Sequence, residues 1–286
     1  MGNPITTRNP YFSANAQRPN QFPGAQRTEY GYGDQYAPSN YGQSFDGQYV
    51  EGGAFVQDSG RMTYTDALNK AGILLGIALI SGVATALLLP PALWMPVSIV
   101  AVIGALVSGF LIAFQKVVKP GAAIAYSALE GVALGAFTAA LEIMIPGVAI
   151  QAVLATSVIV GVTLALHYSG TVRTTPKGRK IILVVMLGYL AFSLLNFVLS
   201  VTGLISQPWG MRGFEVAGIP LGVIMGVAMI LIAAYMLIGD FEDINAAIVN
   251  GAPREFSWTV GIAIVMTILW IYVEVLRLIA ILSDNR

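Results

Sequence analysis

From residue 71 onward the chain is a succession of apolar stretches, each about the length a helix needs to cross a hydrocarbon core of about 30 Å, which takes about 20 residues. Seven occur: Ala71–Pro90, Ala92–Phe114, Gly121–Ile145, Gly147–His167, Ile181–Ser206, Ala217–Gly239 and Trp258–Leu282. A bilayer interior offers no water to backbone groups, so each stretch is predicted to be a helix. The polar breaks are short, and successive helices are expected to be antiparallel neighbours. The predicted fold class is an all-α integral membrane protein, with seven transmembrane helices in one bundle over residues 61–286 and the lipid bilayer as its surroundings.

Residues 1–60 follow no such pattern. They contain no Leu, and Gly, Pro, Asn, Gln and Ser fill half of the positions, with Tyr recurring beside Gly at Tyr30-Gly31-Tyr32-Gly33 and Tyr41-Gly42. Such a composition cannot bury enough apolar surface to offset its ordering entropy. It also lacks the apolar core of a secretory signal. A retained, disordered tail is expected, either a solvated leader or a sticky contact segment for a membrane-protein partner.

Composition narrows the chemistry. Only 10% of residues are charged, and 15 Lys plus Arg balance 15 Asp plus Glu, so no electrostatic grip on nucleic acid is expected. There is no Cys and a single His, which removes thiolate nucleophiles and Cys- or His-rich metal sites. No resident metal or cofactor is signalled by these residue types.

Loop charge sets the predicted orientation. Arg61, Lys70, Lys116, Lys119, Arg173, Lys177, Arg179, Lys180 and Arg254 fall on the side of the tail, against Arg212 and Arg286 on the other. The N-terminus is expected in the cytoplasm and the C-terminus outside. Gly72 and Gly76, Gly131 and Gly135, and Gly218, Gly222 and Gly226 are spaced to share a helix face and let backbones approach. Pro96 and Pro220 fit helix starts.

Charged groups inside spans are costly and mark interiors or watery cavities. Here they are Glu130, Glu142, Glu274 and Arg277, with Asp240, Glu242 and Asp243 ending the sixth stretch. Glu142 lies within a turn of the outer surface, where it can snorkel. Glu130, mid-helix beside Gly131, is a functional candidate or a buried hydrogen-bonded carboxyl. His167 ends the fourth helix at an interface. Glu274 and Arg277 share a face and can form a self-contained ion pair. Alternatively Glu274 meets a carboxylate of the sixth helix, sharing a proton as a pH-sensitive latch that offers hard oxygen ligands to Ca²⁺ once deprotonated.

Enzyme signatures fail on spacing. Leu237-Ile238 precede Gly239-Asp240 where an intramembrane aspartyl protease needs a Gly, Leu106-Val107 precede Ser108-Gly109 where a rhomboid-like protease wants Gly-x-Ser-Gly, and the last helix has no Lys for a retinal Schiff base. A non-enzymatic protein is expected.

Three segments carry a likeness: Tyr126-Ser-Ala-Leu-Glu130-Gly131 in the third helix, Ile238-Gly239-Asp240-Phe241-Glu242-Asp243-Ile244 ending the sixth, and Ile271-Tyr272-Val273-Glu274 in the seventh. Together, in order along seven helices, they resemble the Glu-Gly, Tyr-Asp-x-x-x-Ile and Leu-Tyr-x-Asp motifs of the Bax inhibitor family of transmembrane Bax inhibitor motif proteins, including its bacterial branch. The likeness covers roughly residues 61–286, and the tail looks like that of actinobacterial members. It implies a compact bundle with a central seventh helix, a plasma (inner) membrane location, and a pH-sensitive calcium leak gated by a proton-sharing acidic pair, at Asp240 and Glu274 in this chain. Gly239 stands where the family has Tyr, and the second acid is Glu. Tyr272 favours Glu274 as the second member, whereas ungapped counting from the C-terminus puts Thr267 there. Asp243, Glu130 and Arg277 are supporting candidates. Calcium and protons are the expected cargo and trigger. The rival expectations are a non-conducting regulator of a membrane protease or other membrane partner, and a proton-coupled carrier.

Overall fold

The computed structural model describes residues 60–205, 207 and 209–284. The tail up to residue 59 and the terminal Arg286 of the charge comparison lie outside the described residues. Seven long helices follow one another: α1 Tyr64–Leu88, α2 Pro91–Ala113, α3 Pro120–Met144, α4 Val148–Ser169, α5 Pro176–Val201, α6 Leu221–Val249 and α7 Ser257–Asp284.

Local chemistry explains where these bounds differ from the hydropathy reading. Helix α1 begins at Tyr64 rather than Ala71 because Thr63 and Asp66 form a reciprocal cap: Asp66 N–H donates to Thr63 Oγ1 and Thr63 N–H to Asp66 Oδ2, both at 3.1 Å. Helix α5 starts on Pro176 with Thr175 Oγ1 accepting from Gly178 N–H at 3.0 Å, so the basic segment is its first turns rather than a loop. Helix α6 runs on past Gly239 to Val249, since Phe241, Ile244 and Ala247 continue its buried stripe.

Its start is also displaced. Glu215–Val216 (β1) pairs antiparallel with Ile219–Pro220 (β2), and the turn between them holds Ala217 and Gly218 at φ 55° and 79°. Positive φ at both central residues is what a type I′ two-residue hairpin turn requires. Gly218 therefore serves this turn and is not part of a helix face.

Helix α7 is central, packing on α1, α3, α4 and α6. The expectation that successive helices are neighbours fails around α5, which makes little close backbone contact with α4 or α6, and it fails for α1 and α2, where α3 packs closely on both and separates them. The reason is steric. A side chain on Gly131 would collide with Ala78 O and Ser81 Oγ, and one on Gly135 with the backbone of Gly82, so these glycines let α1 and α3 approach to backbone contact. On the other side of α3, Leu129 lies against Gly104 and Tyr126 against Gly109 of α2. Gly222 and Gly226 make room for Ile281 and Leu278 of α7, while Gly72 and Gly76 face open space and have no packing role.

A short clasp closes the tail-side end. Met62 N–H donates to Ala252 O and Arg254 N–H to Gly60 O, each at 2.9 Å, and Arg254 Nε donates to Asp66 Oδ1 at 3.2 Å. Helix α5 is the exception to close packing: of its residues only Asn196 is buried. Polar side chains attach it to the rest.

Candidate functional site

Ionisable groups gather in two places, one in each half of the bundle. In the tail-side half, Asp240 of α6 is 6% exposed and meets α7 at Thr267, whose Oγ1 is 2.6 Å from Asp240 Oδ2 and 3.2 Å from Ala263 O. Thr267 has one hydroxyl proton and two acceptors. If it donates to Ala263 O, then Asp240 must carry a proton and donate to Thr267. If Asp240 is ionised, Thr267 donates to it and the contact with Ala263 O is no longer a hydrogen bond. The triad thus has two proton arrangements distinguished by the charge on Asp240.

One turn further along α6, Arg179 of α5 reaches across. Its NH1 donates to Asp243 Oδ1 at 2.8 Å, its NH2 to Glu242 Oε2 and Gly239 O at 3.3 Å each, and its Nε to Thr174 Oγ1 at 2.9 Å. Glu242 also accepts from Thr174 through both its backbone N–H and its hydroxyl. With Thr175 N–H on Tyr235 Oη at 2.8 Å, this cluster fastens the start of α5 to α6.

Glu274 occupies the other half. It is 1% exposed and accepts from Arg277 NH1 at 2.7 and 2.9 Å, Tyr189 Oη at 2.8 Å and Trp270 Nε1 at 3.2 Å. Arg277 NH1 also donates to Tyr189 Oη. The expected pairing of Asp240 with Glu274 is therefore corrected. Thr267 and Glu274 are two turns apart on α7, about 10 Å along its axis, and only Thr267 is level with Asp240. Glu274 takes the other role open to it, as the partner of Arg277. No proton-sharing dyad exists between these residues, and the two do not jointly offer ligands to calcium. Among the described residues no group of three or more His, Asp or Glu converges as a metal site.

The remaining candidates are spread out. Glu142 caps the next helix instead of snorkelling: Gly147 N–H and Ala149 N–H donate to its two oxygens at 2.6 and 2.9 Å. Glu130 is half-buried on α3 and forms no hydrogen bond or ion pair with either cluster. His167 ends α4 with its ring 5.4 Å from that of Phe241.

Sequence reasoning reads Arg179 only as loop charge and gives no role to Thr174, Tyr235, Tyr189 or Trp270. Trp270 was within reach, since Trp270, Glu274 and Arg277 follow helical spacing and share a face.

Seven helices among the described residues, each long and apolar enough to cross a membrane, define a multi-pass membrane protein. The family model described as Bax inhibitor 1 like matches residues 3–284, and the chain belongs to that family. The match begins within the tail and so extends further than the likeness seen in the helices alone. No curated protein and no solved structure matches the chain.

Proposed function

We propose that this protein is a pH-sensitive cation leak without covalent chemistry, with calcium the favoured ion and Asp240 the proton switch. The observation that carries the reading is the Asp240–Thr267–Ala263 triad, in which a single hydroxyl proton faces two acceptors between α6 and α7. With Asp240 neutral, its own proton completes the chain to Thr267 and Ala263 O, and the two helices are tied at no cost in buried charge. Loss of that proton as pH rises places a negative charge one turn from Asp243 and Glu242, both held by Arg179. The excess negative charge then draws cations toward the tail-side half, with carboxylate oxygens as hard ligands. Acid closes and base opens. The excess of Lys and Arg on this side supports a cytoplasmic position for this half, and the plasma membrane is the proposed location.

Calcium flux into liposomes containing purified protein, measured across a pH series, tests this. Asp240→Asn should flatten the pH profile, and Thr267→Val should shift its midpoint without abolishing it. A wild-type flux that is absent at every pH overturns the leak in favour of a non-conducting regulator, and flux that requires a co-substrate overturns it in favour of a proton-coupled carrier.

A further inference from the structure

At the end of the bundle away from the tail, the connection between α5 and α6 folds back onto α5. Asn196 holds it there, accepting from Met211 N–H at 2.6 Å. This carries Arg212 into the structure, where it is 9% exposed, in the short turn Gly210–Gly213. One amino group donates to Ser193 Oγ at 2.7 Å, and the guanidinium carbon is 5.5 and 5.4 Å from the ring centres of Tyr189 and Phe192. Its Nε is buried with no hydrogen-bond partner.

The charge count around this residue does not close. Arg277 already faces Glu274 and Tyr189 through NH1. Two guanidinium groups thus flank Tyr189 with one carboxylate between them, and among the described residues no carboxylate lies within ion-pair distance of Arg212. Burial, and then the like charge of Arg277, hold the Arg212 guanidinium below its ordinary range. Glu274 acts on Arg212 only beyond ion-pair distance and is already paired with Arg277, so this buried cation has no counter-charge of its own, which is unfavourable.

We propose that Arg212, assisted by the free N–H groups of Arg277, binds a phosphate-type oxyanion supplied by the headgroup of an anionic phospholipid. Arg suits this task because its planar fork matches two phosphate oxygens at once. The lipid source follows from the surroundings. Leu190, Leu194, Phe197 and Val198 of α5 are exposed on either side of Ser193, so acyl chains lying along that helix bring a headgroup to Arg212. Basic pockets between spans are a recurring means of holding such headgroups.

The full-length protein in phosphatidylcholine nanodiscs, with or without phosphatidylglycerol, provides the test, read by thermal unfolding and by native mass spectrometry. Phosphatidylglycerol should raise Tm by roughly 5 °C at a concentration about 100-fold above Kd, and one lipid should stay bound on release from the disc. Arg212→Gln should lose both effects, and Arg212→Lys, which keeps the charge and the fold but not the fork, should retain less than about half of the shift. A parallel titration with inorganic phosphate in phosphatidylcholine discs separates the sources. An Arg212-dependent shift there, with none from phosphatidylglycerol, keeps the oxyanion site but overturns the lipid as its occupant. Equal shifts in the wild type and both variants, or no shift with either probe, overturn the site.

Discussion

Two helices join the bundle by opposite means. Helix α3 lies against α1 through Gly131, Gly135 and Gly82, backbone on backbone, with nothing polar needed at the seam. Helix α5 buries only Asn196 and is held by Arg179 near its start, Tyr189 midway, and Ser193 with Asn196 toward its end. In lipid, where apolar side chains gain nothing by leaving one apolar phase for another, both are workable solutions. They differ in reversibility. Backbone packing is either present or lost, whereas the fastenings at Arg179, Tyr189 and Ser193 each involve a charged partner and can be released singly. The element best placed to move is therefore the one fastened by ionisable groups, and one fastening adjoins Asp240.

The largest effect that would test this contrast is expected at Arg277. Arg277→Gln leaves Glu274 buried without its cation, which should cost about 3–5 kcal/mol. Adding Glu274→Gln should recover a substantial part of that loss, and thermal unfolding of the two single variants and the double variant gives the coupling. Simple additivity would mean that the pair is not what secures this half.

Next comes the glycine seam. Gly135→Ala puts a methyl group into the backbone of Gly82 and should cost about 1–3 kcal/mol. Gly72→Ala, on the same helix as Gly82 but facing open space, should instead gain a few tenths of a kcal/mol, roughly, from helix propensity. Equal responses in unfolding experiments would remove the distinction between packing and non-packing glycines.

Smallest in stability is Arg179→Gln. This pair is partly exposed, and its loss should cost about 1 kcal/mol or less. The effect should be local: faster amide hydrogen exchange through the first turns of α5 and a wider spread of spin-label distances between α5 and α6, with α1 and α3 unchanged. A global loss of protection would show that α5 is integral to the packed core.

Hydropathy alone carried the seven spans, because the length of an apolar run is a property of the chain and the bilayer fixes what it means. Bounds were less legible where caps decide them, as at Thr63 and Thr175, or where a turn rather than a helix claims the residues, as at Ala217-Gly218. The acids were found because a charge in an apolar run stands out. Their partners were not, since partnership depends on the axial offset between α6 and α7, which no periodicity within one helix contains. Tyr272 suggested one offset, but it donates to or accepts from Thr138 of α3 at 2.9 Å and says nothing about the level of Asp240. Arg212 was hidden for a related reason: residues in a connection have no periodicity to reveal that the connection folds inward.

The position of α3 between α1 and α2 bears on how the protein is made. As the first two spans leave the ribosome and enter the bilayer, Gly82 on one and Gly104 and Gly109 on the other have no partners, because the surfaces they are shaped for belong to a span not yet synthesised. The two-residue link Leu89-Pro90 keeps the first spans close without giving them a shared interface. The unit that ends at Met144 is therefore the shortest stretch from α1 onward in which these glycine surfaces all meet their partners.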